Sequence, residues 1–280
     1  MVFALRRTLL IIFIAFIIII SAVIVLIVLR PSSIKYKTVV MKEGNRGVRG
    51  ILGIPTTGNP PYPAVIIIHG GAGGNWKATE YVAKVDEVKR IIEMGFVILS
   101  VDYGPRGTLF KGVVGNIELA GDDITDTLIA YRYLLTLDLV DKNRIFTLGG
   151  SHGGYISHMM GVFADVNLAG VIEFYAPTNL TAGAIYLNCT ITDENRTALK
   201  KWSPITWVKN YTAPLLIIHG SNDELIPIEQ AYEFITALKK EGKTYYFYEY
   251  PEGHGFMFDQ SSKYKAEAWE KVYDFLEKYS

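Results

Sequence analysis

The run Gly149-Gly150-Ser151-His152-Gly153 fits the pattern G-x-S-x-G, which can present a serine hydroxyl for attack on a carbonyl carbon. The pattern alone is a weak signal; its setting is a stronger one. It follows Arg144–Leu148, a stretch with the look of a buried strand, and precedes a helical stretch from about Tyr155. A sharp strand-to-helix turn strains the serine backbone and projects its hydroxyl at the carboxyl edge of a sheet, and flanking glycines keep neighbouring backbone clear. A serine hydroxyl is a poor nucleophile near neutral pH and needs a base. His69 and His219 end strands, His152 follows the serine and His158 lies in the next helix, which are positions for packing or loop bracing. His254 stands apart, in the turn Pro251-Glu252-Gly253-His254-Gly255. The base needs a carboxylate to fix its tautomer and stabilise its charged form. Asp223, in His219-Gly220-Ser221-Asn222-Asp223 directly after a strand, is the candidate; Glu224 and Glu173 are alternatives. Asp122 and Asp123 open a helix, where capping and dipole effects account for them.

Acyl transfer also requires donors for a developing oxyanion. The backbone N–H of His152 offers one. The second is expected from the glycine-rich loop His69-Gly70-Gly71-Ala72-Gly73-Gly74, at Gly71 and Ala72. No G-K-[ST] or G-x-G-x-x-G spacing supports reading that loop as a phosphate cradle.

These residues need elements to hold them. Ile34–Met41 and Val48–Ile54 read as an opening antiparallel pair. Ala64–His69, Phe96–Val101, Arg144–Leu148, Leu168–Tyr175, Leu215–His219 and Thr244–Tyr250 read as strands, several of them continuously apolar and therefore buried on both faces. Between them, Glu80–Met94, Asp122–Leu137, a segment from Tyr155, Ile228–Lys240 and Lys263–Lys278 have helical spacing. The alternation predicts an α/β fold, a mostly parallel sheet with helices on both faces. The stretch 177–212 is too long for a tight loop and is expected to form a small lid. Trp76 beside the oxyanion loop, and Tyr186, Trp202 and Trp207 in the lid, are candidates to line an acyl pocket, although ordinary packing accounts for each one singly.

The 280 residues carry 28 Lys plus Arg against 28 Asp plus Glu, so no global charge attracts nucleic acid. One cysteine, Cys189, excludes an internal disulfide framework and a cysteine-rich zinc site. The mean hydropathy of +0.21 traces to one segment. Thr8 to Leu29 is a run of 22 residues without a charge. As a helix it would be about 33 Å long, matching a bilayer core of about 30 Å. Its length and the absence of a small-x-small cleavage site favour a membrane anchor over a cleaved signal peptide. The expected organisation is an anchor at 1–30 and a catalytic domain at 31–280. Orientation signals conflict. Arg30, Lys35, Lys37, Lys42, Arg46 and Arg49 outnumber Arg6 and Arg7, which by the positive-inside rule places the domain in the cytoplasm. Four N-x-[ST] sequons, at Asn179, Asn188, Asn195 and Asn210, point to an extracytoplasmic domain, the expectation adopted here.

With these residues in view, the sequence resembles the α/β-hydrolase superfamily, whose chain order Ser, Asp, His it shares. Within it the chain is similar to the catalytic domain of the prolyl oligopeptidase family, which includes acylaminoacyl peptidases, with dienelactone-hydrolase-like esterases nearby. The residues carrying this are Gly149–Gly154, Ser203-Pro204-Ile205, the run from Ala213-Pro214-Leu215 through Pro227, and Pro251–Phe256. The resemblance spans roughly residues 62–280. It implies an α/β-hydrolase fold, preceded here by one transmembrane helix, and a serine hydrolase with Ser151 as nucleophile, His254 as base and Asp223 orienting it. No metal or organic cofactor is required, and the expected partners are a small peptide or ester substrate and the membrane. Two departures matter. About 30 residues separate the anchor from the first sheet motifs, so no β-propeller is expected before the domain. The oxyanion loop lacks the tyrosine that some members use, so backbone donors are implied. Both point away from strict post-proline cleavage. A peptidase is expected, with a carboxylesterase as alternative and a silent fold used as a binding module as a remote one.

Overall fold

The computed structural model describes residues 34–71, 73–104, 122–163, 165–186 and 191–280, together with Phe16. Apart from Phe16, the apolar run 8–29 lies outside the described residues, as do Ala72 and Asn188. Among the described residues no helix is long and apolar enough to cross a membrane.

Eight strands form one sheet: β1 (Ile34–Glu43), β2 (Arg46–Pro55), β3 (Tyr62–Ile68), β4 (Val97–Asp102), β5 (Val140–Gly150), β6 (Gly170–Phe174), β7 (Leu215–Gly220) and β8 (Tyr245–Tyr250). Their spatial order is β1-β2-β4-β3-β5-β6-β7-β8. β2 runs antiparallel to both its neighbours and every other pair is parallel. The opening antiparallel pair and the parallel sheet are as the hydrophobic pattern predicts. Continuously apolar strands arise because both faces are covered. On β3, Ala64, Ile66 and Ile68 enter one core while Val65 and Ile67 enter the other. The first core lies under α3 (Asp122–Leu135), α4 (His152–Met160) and α7 (Glu229–Lys240). The second lies under α1 (Trp76–Lys84), α2 (Asp86–Glu93) and α8 (Lys265–Tyr279).

The single helix expected over Glu80–Met94 is two. Val85 adopts an extended backbone (φ −65°, ψ 151°) and ends α1, and Asp86 and Glu87 supply the acidic first turn of α2. The break lets Val82 and Val85 on one side, and Val88, Ile91 and Ile92 on the other, bury against the same sheet face.

The stretch 177–212 contains α5 (Leu180–Tyr186), α6 (Asp193–Trp202) and a 3₁₀ turn, Pro204–Asn210. Three of its sequon asparagines make hydrogen bonds; Asn210 donates to Val162 O at 3.4 Å. Asn195 completes a capping box with Thr192 at the start of α6. Asn179 accepts from the Ala182 N–H at 3.2 Å and donates to Glu233 at 3.0 Å.

The strand order places a switch point between β3 and β5. The connection from β3 leaves over one face and that from β5 over the other, which opens a crevice at the carboxyl edge. The loop after Ile68 and the turn at Ser151 both border it. The far side of this edge is closed by α8, where Trp269 packs on Phe174 and Phe258 and its indole N–H donates to Met257 O at 2.8 Å. Trp269→Ala is expected to lower unfolding free energy by about 3–5 kcal/mol, read as a reduced denaturant midpoint with an unchanged slope.

Candidate active site

Ser151 sits between the last residue of β5 and the first of α4 with φ 55° and ψ −121°. Such a backbone costs a non-glycine residue about 1–3 kcal/mol and must be held in place. The Ser151 N–H donates to Phe174 O at 2.8 Å, and Ser151 O accepts from the Tyr155 N–H at 3.0 Å. The two glycines of the pattern are steric requirements. A Cβ on Gly149 would lie 2.3 Å from the Gly153 carbonyl, and one on Gly153 would lie 2.2 Å from Ile68 O. Strand, turn and helix can approach this closely only with hydrogen at both positions.

The structure brings Ser151, His254 and Asp223 together. His254 Nε2 is 3.0 Å from Ser151 Oγ, and its Nδ1 is 2.8 Å from Asp223 Oδ2. A carboxylate only accepts, so Nδ1 carries the proton and Nε2 is left to accept from the serine hydroxyl. The Asp223 side chain is fully inaccessible, and its Oδ1 accepts from the N–H groups of Leu225 and Ile226 at 2.9 and 2.8 Å. Those bonds fix the direction in which the buried carboxylate points. The Tyr175 ring lies 4.7 Å from the His254 ring and forms one wall behind it. Tyr175 is, with Ser151, a non-glycine residue of positive φ, at 43°.

The alternatives for the acid lie elsewhere. Glu173 is buried, accepts from the Ala176 N–H at 2.9 Å and stands 3.7 Å from His158 Nε2. Glu224 is exposed.

His152 is the first residue of α4, so its backbone N–H has no intrahelical acceptor and stands at the positive end of the helix. The loop after β3 lies against the same turn. A Cβ on Gly70 would be 3.0 Å from Gly150 O and 3.4 Å from Ser151 Cβ. Gly71 follows it, solvent-exposed with φ 78°. Ala72 lies outside the described residues.

A buried polar column ties these two parts together, and the sequence reading did not include it. The Tyr103 hydroxyl shares its proton between His69 O at 2.9 Å and Gly71 O at 3.0 Å. Its ring stacks on His69 at 4.4 Å and on His152 at 5.6 Å. The His152 imidazole in turn meets Asp123 Oδ2 at 2.7 Å. Asp123, read from the sequence as a helix-opening residue, is thus also the partner of the histidine beside the nucleophile. Burial pushes the Tyr103 hydroxyl well above its ordinary range, with Asp123 and Asp102 adding to the effect, so it remains a donor. Burial also lowers the His69 pKa, which favours the neutral ring.

Of the aromatic candidates for an acyl pocket, Trp202 and Trp207 lie away from Ser151. Trp76 is partly buried and carries the Arg49 guanidinium 4.7 Å over its ring. Trp202 and Trp207 line a separate cavity with Met159, Val162 and Phe163, at the far end of α4. The reason is topological: α4 leads away from the serine, and the lid returns past its other end before entering β7. Tyr186 closes α5, and its side chain lies outside the described residues.

Comparison with known proteins agrees with this arrangement. The family model "Prolyl oligopeptidase family" matches residues 84–280, which include all three residues of the Ser151 relay. The chain belongs to the prolyl oligopeptidase family. Among curated members it is 25% identical over 255 residues to dipeptidyl peptidase family member 6 of Caenorhabditis elegans, covering 84% of this chain and 33% of that one. This chain thus spans about a third of that relative's length. The acylaminoacyl peptidase of Pyrococcus horikoshii superposes with a TM-score of 0.74 at 20% identity, covering 91% of this chain and 43% of that one. A thermophilic esterase from Thermogutta terrifontis superposes with a TM-score of 0.71 at 21% identity, covering 86% of this chain and 93% of that one. At these identities the superpositions establish the α/β-hydrolase fold.

The geometry sets expectations for a fluorophosphonate probe that phosphonylates an activated serine. Asp223→Asn should slow labelling of Ser151 by about 10³–10⁴-fold, because the imidazole loses its tautomer control. Tyr103→Phe should slow it by about tenfold through a loosened oxyanion loop. Labelling of either variant at the unaltered rate would refute the corresponding role.

Proposed function

We propose that this chain is a membrane-anchored serine hydrolase that works through an acyl-enzyme, with short peptides or acylated amines as its substrates. The observation that carries the chemistry is the continuous hydrogen-bonded line from Ser151 Oγ through His254 to Asp223. Ser151 Oγ attacks the substrate carbonyl carbon as its proton passes to His254 Nε2. The imidazolium is stabilised by Asp223, itself held by two backbone donors. The carbonyl oxygen becomes an oxyanion, for which the His152 N–H and the loop at Gly71 and Ala72 supply donors. Collapse of the intermediate breaks the carbonyl–nitrogen bond, and Nε2 returns the proton to the leaving amine. A water molecule then repeats the sequence on the acyl-serine and regenerates the hydroxyl.

The preference for amides rests on family membership and on the dipeptidyl and acylaminoacyl peptidases among the relatives. A carboxylesterase is the second reading, favoured by one observation: the esterase structure is matched over 93% of its length, against 43% for the acylaminoacyl peptidase. The anchor rests on the charge-free run 8–29.

The two readings separate on leaving group. The full chain in detergent would be assayed with N-blocked and free aminoacyl p-nitroanilides and with short-chain p-nitrophenyl esters, with Ser151→Ala as control. A peptidase should turn over anilides within about a few hundredfold of esters in kcat/KM, since His254 must protonate a poor leaving amine. Ester turnover alone would establish the esterase. Activity surviving Ser151→Ala would overturn the mechanism, and a fully inert chain that also resists the fluorophosphonate would make it a binding module.

A further inference from the structure

A cavity of about 320 Å³ opens at the surface beside the end of α4, walled by Met159, Val162, Phe163, Trp202 and Trp207 with Lys201 at its side. It is not part of the Ser151 site. Met159 is eight residues along α4 from Ser151, about 12 Å at helical rise. Trp207 is exposed by 36%, with its indole N–H tied to Lys201 O. A tryptophan left half in water, beside apolar walls, is the residue type that settles at a membrane–water interface.

One charged side chain, Lys201, lines the cavity, and Lys200 and Lys209 adjoin lining residues in sequence. The Lys201 ammonium lies 5.4 Å over the Trp202 ring. Among the described residues, no carboxylate pairs with Lys200, Lys201 or Lys209. Unpaired lysines around an apolar opening complement an anionic lipid surface.

The topology supplies the third argument. α4 begins at the carboxyl edge of the sheet and runs back toward the amino edge, so Met159–Phe163 lie there. The 3₁₀ turn Pro204–Asn210 also ends there, just before β7. β1 runs parallel to the parallel strands, since β2 opposes both β1 and β4. Ile34, its first residue, pairs with Pro55 and therefore lies on the amino edge, in the strand at the end of the sheet away from β7. Only residues 30–33 separate Ile34 from the apolar run 8–29. Four residues reach at most about 14 Å.

We propose that the amino edge around Trp207, Lys200, Lys201 and Lys209 docks on an anionic phospholipid bilayer, with the cavity receiving the acyl-chain side of the interface. The proposal rests on the anchor reading for its tether. Docking by this edge turns the opposite, carboxyl edge with Ser151 toward the aqueous phase.

The test uses the full chain reconstituted into vesicles whose lipids are brominated in the acyl chains, with quenching of tryptophan fluorescence as readout. The chain has four tryptophans. Trp269 is buried in the core and Trp76 lies at the carboxyl edge, so quenching reports Trp202 and Trp207. Quenching is expected in vesicles containing phosphatidylglycerol. It should fall about twofold or more in pure phosphatidylcholine, in Trp207→Phe, and in the Lys200→Glu/Lys201→Glu/Lys209→Glu variant. Both variants should keep ester hydrolysis in detergent, which shows that they fold. Quenching that is absent, or unchanged in the variants, overturns the proposal, as does burial of Trp207 by self-association at a size of two chains. An alkaline carbonate wash separates the tether from the docking. A chain retained after the wash but never quenched is anchored and not docked. A chain quenched before the wash and released by it is docked without an anchor.

Discussion

The site depends on one backbone conformation. Ser151 occupies a region of φ/ψ space that a side chain disfavours by about 1–3 kcal/mol, and nothing within its own turn compensates. The compensation is tertiary. Phe174 on β6 accepts from its N–H, and α4 accepts its carbonyl into the first helical turn. Gly149 and Gly153 then allow β5, α4 and the end of β3 to meet at distances no Cβ would permit. The parallel order β3-β5-β6 is therefore a condition of the nucleophile's geometry. The same order brings the loop after β3, and the turns after β7 and β8, to the same edge. A strained residue held by a rigid sheet gives a hydroxyl that cannot relax away from His254, which is what pre-organisation means in this fold.

How the carboxyl edge stays rigid follows from its buried polar groups. Tyr103, His69, His152 and Asp123 come from four elements separated by up to 83 positions in sequence, and their rings form one stack. A buried polar group without a partner costs about 1–3 kcal/mol, so each bond in this column penalises any displacement of the others. The column joins the loop at Gly71 to the residue whose N–H follows the nucleophile. The spacing between that loop and the start of α4 is thus set by aromatic packing instead of by a flexible loop. On the other side of Ser151, Asp223 is fixed by backbone donors and His254 by the Tyr175 ring. Three independent braces therefore meet at one hydroxyl.

Much of this was legible in the sequence because the reacting groups lie at strand ends, where local pattern is informative. Ser151, Asp223 and His254 each follow an apolar run and sit among glycines or turn residues, so their placement required only the strand order. Val85 broke a helix because tertiary burial of two short amphipathic segments outweighed a continuous helical pattern. Asp123 and Tyr103 were missed for a different reason: their roles are long-range side-chain contacts, and nothing in their neighbourhood distinguishes a helix-opening aspartate from a partner for a histidine 29 residues on. The histidine directly after the nucleophile was the one available hint, since a buried imidazole needs a partner. Trp202 and Trp207 lie at the other end of α4, because a place in the lid does not fix which edge of the sheet a residue reaches.

That last point bears on how the two edges divide their work. A parallel sheet with crossing helices is polar in the vectorial sense: every βα loop emerges at one edge and every αβ loop at the other. Chemistry collects at the carboxyl edge because strand ends there present free backbone donors and helix N-termini. The amino edge carries no such constraint and is free to be shaped by what the chain is attached to. Here a charge-free segment of bilayer length precedes β1 by four residues, and β1 happens to start at the amino edge. A tether that short would press whichever surface adjoins it against the membrane. On the anchor reading, an apolar cavity with lysines at that edge follows the same vectorial logic that places Ser151 on the opposite one, with attachment and catalysis a strand length apart.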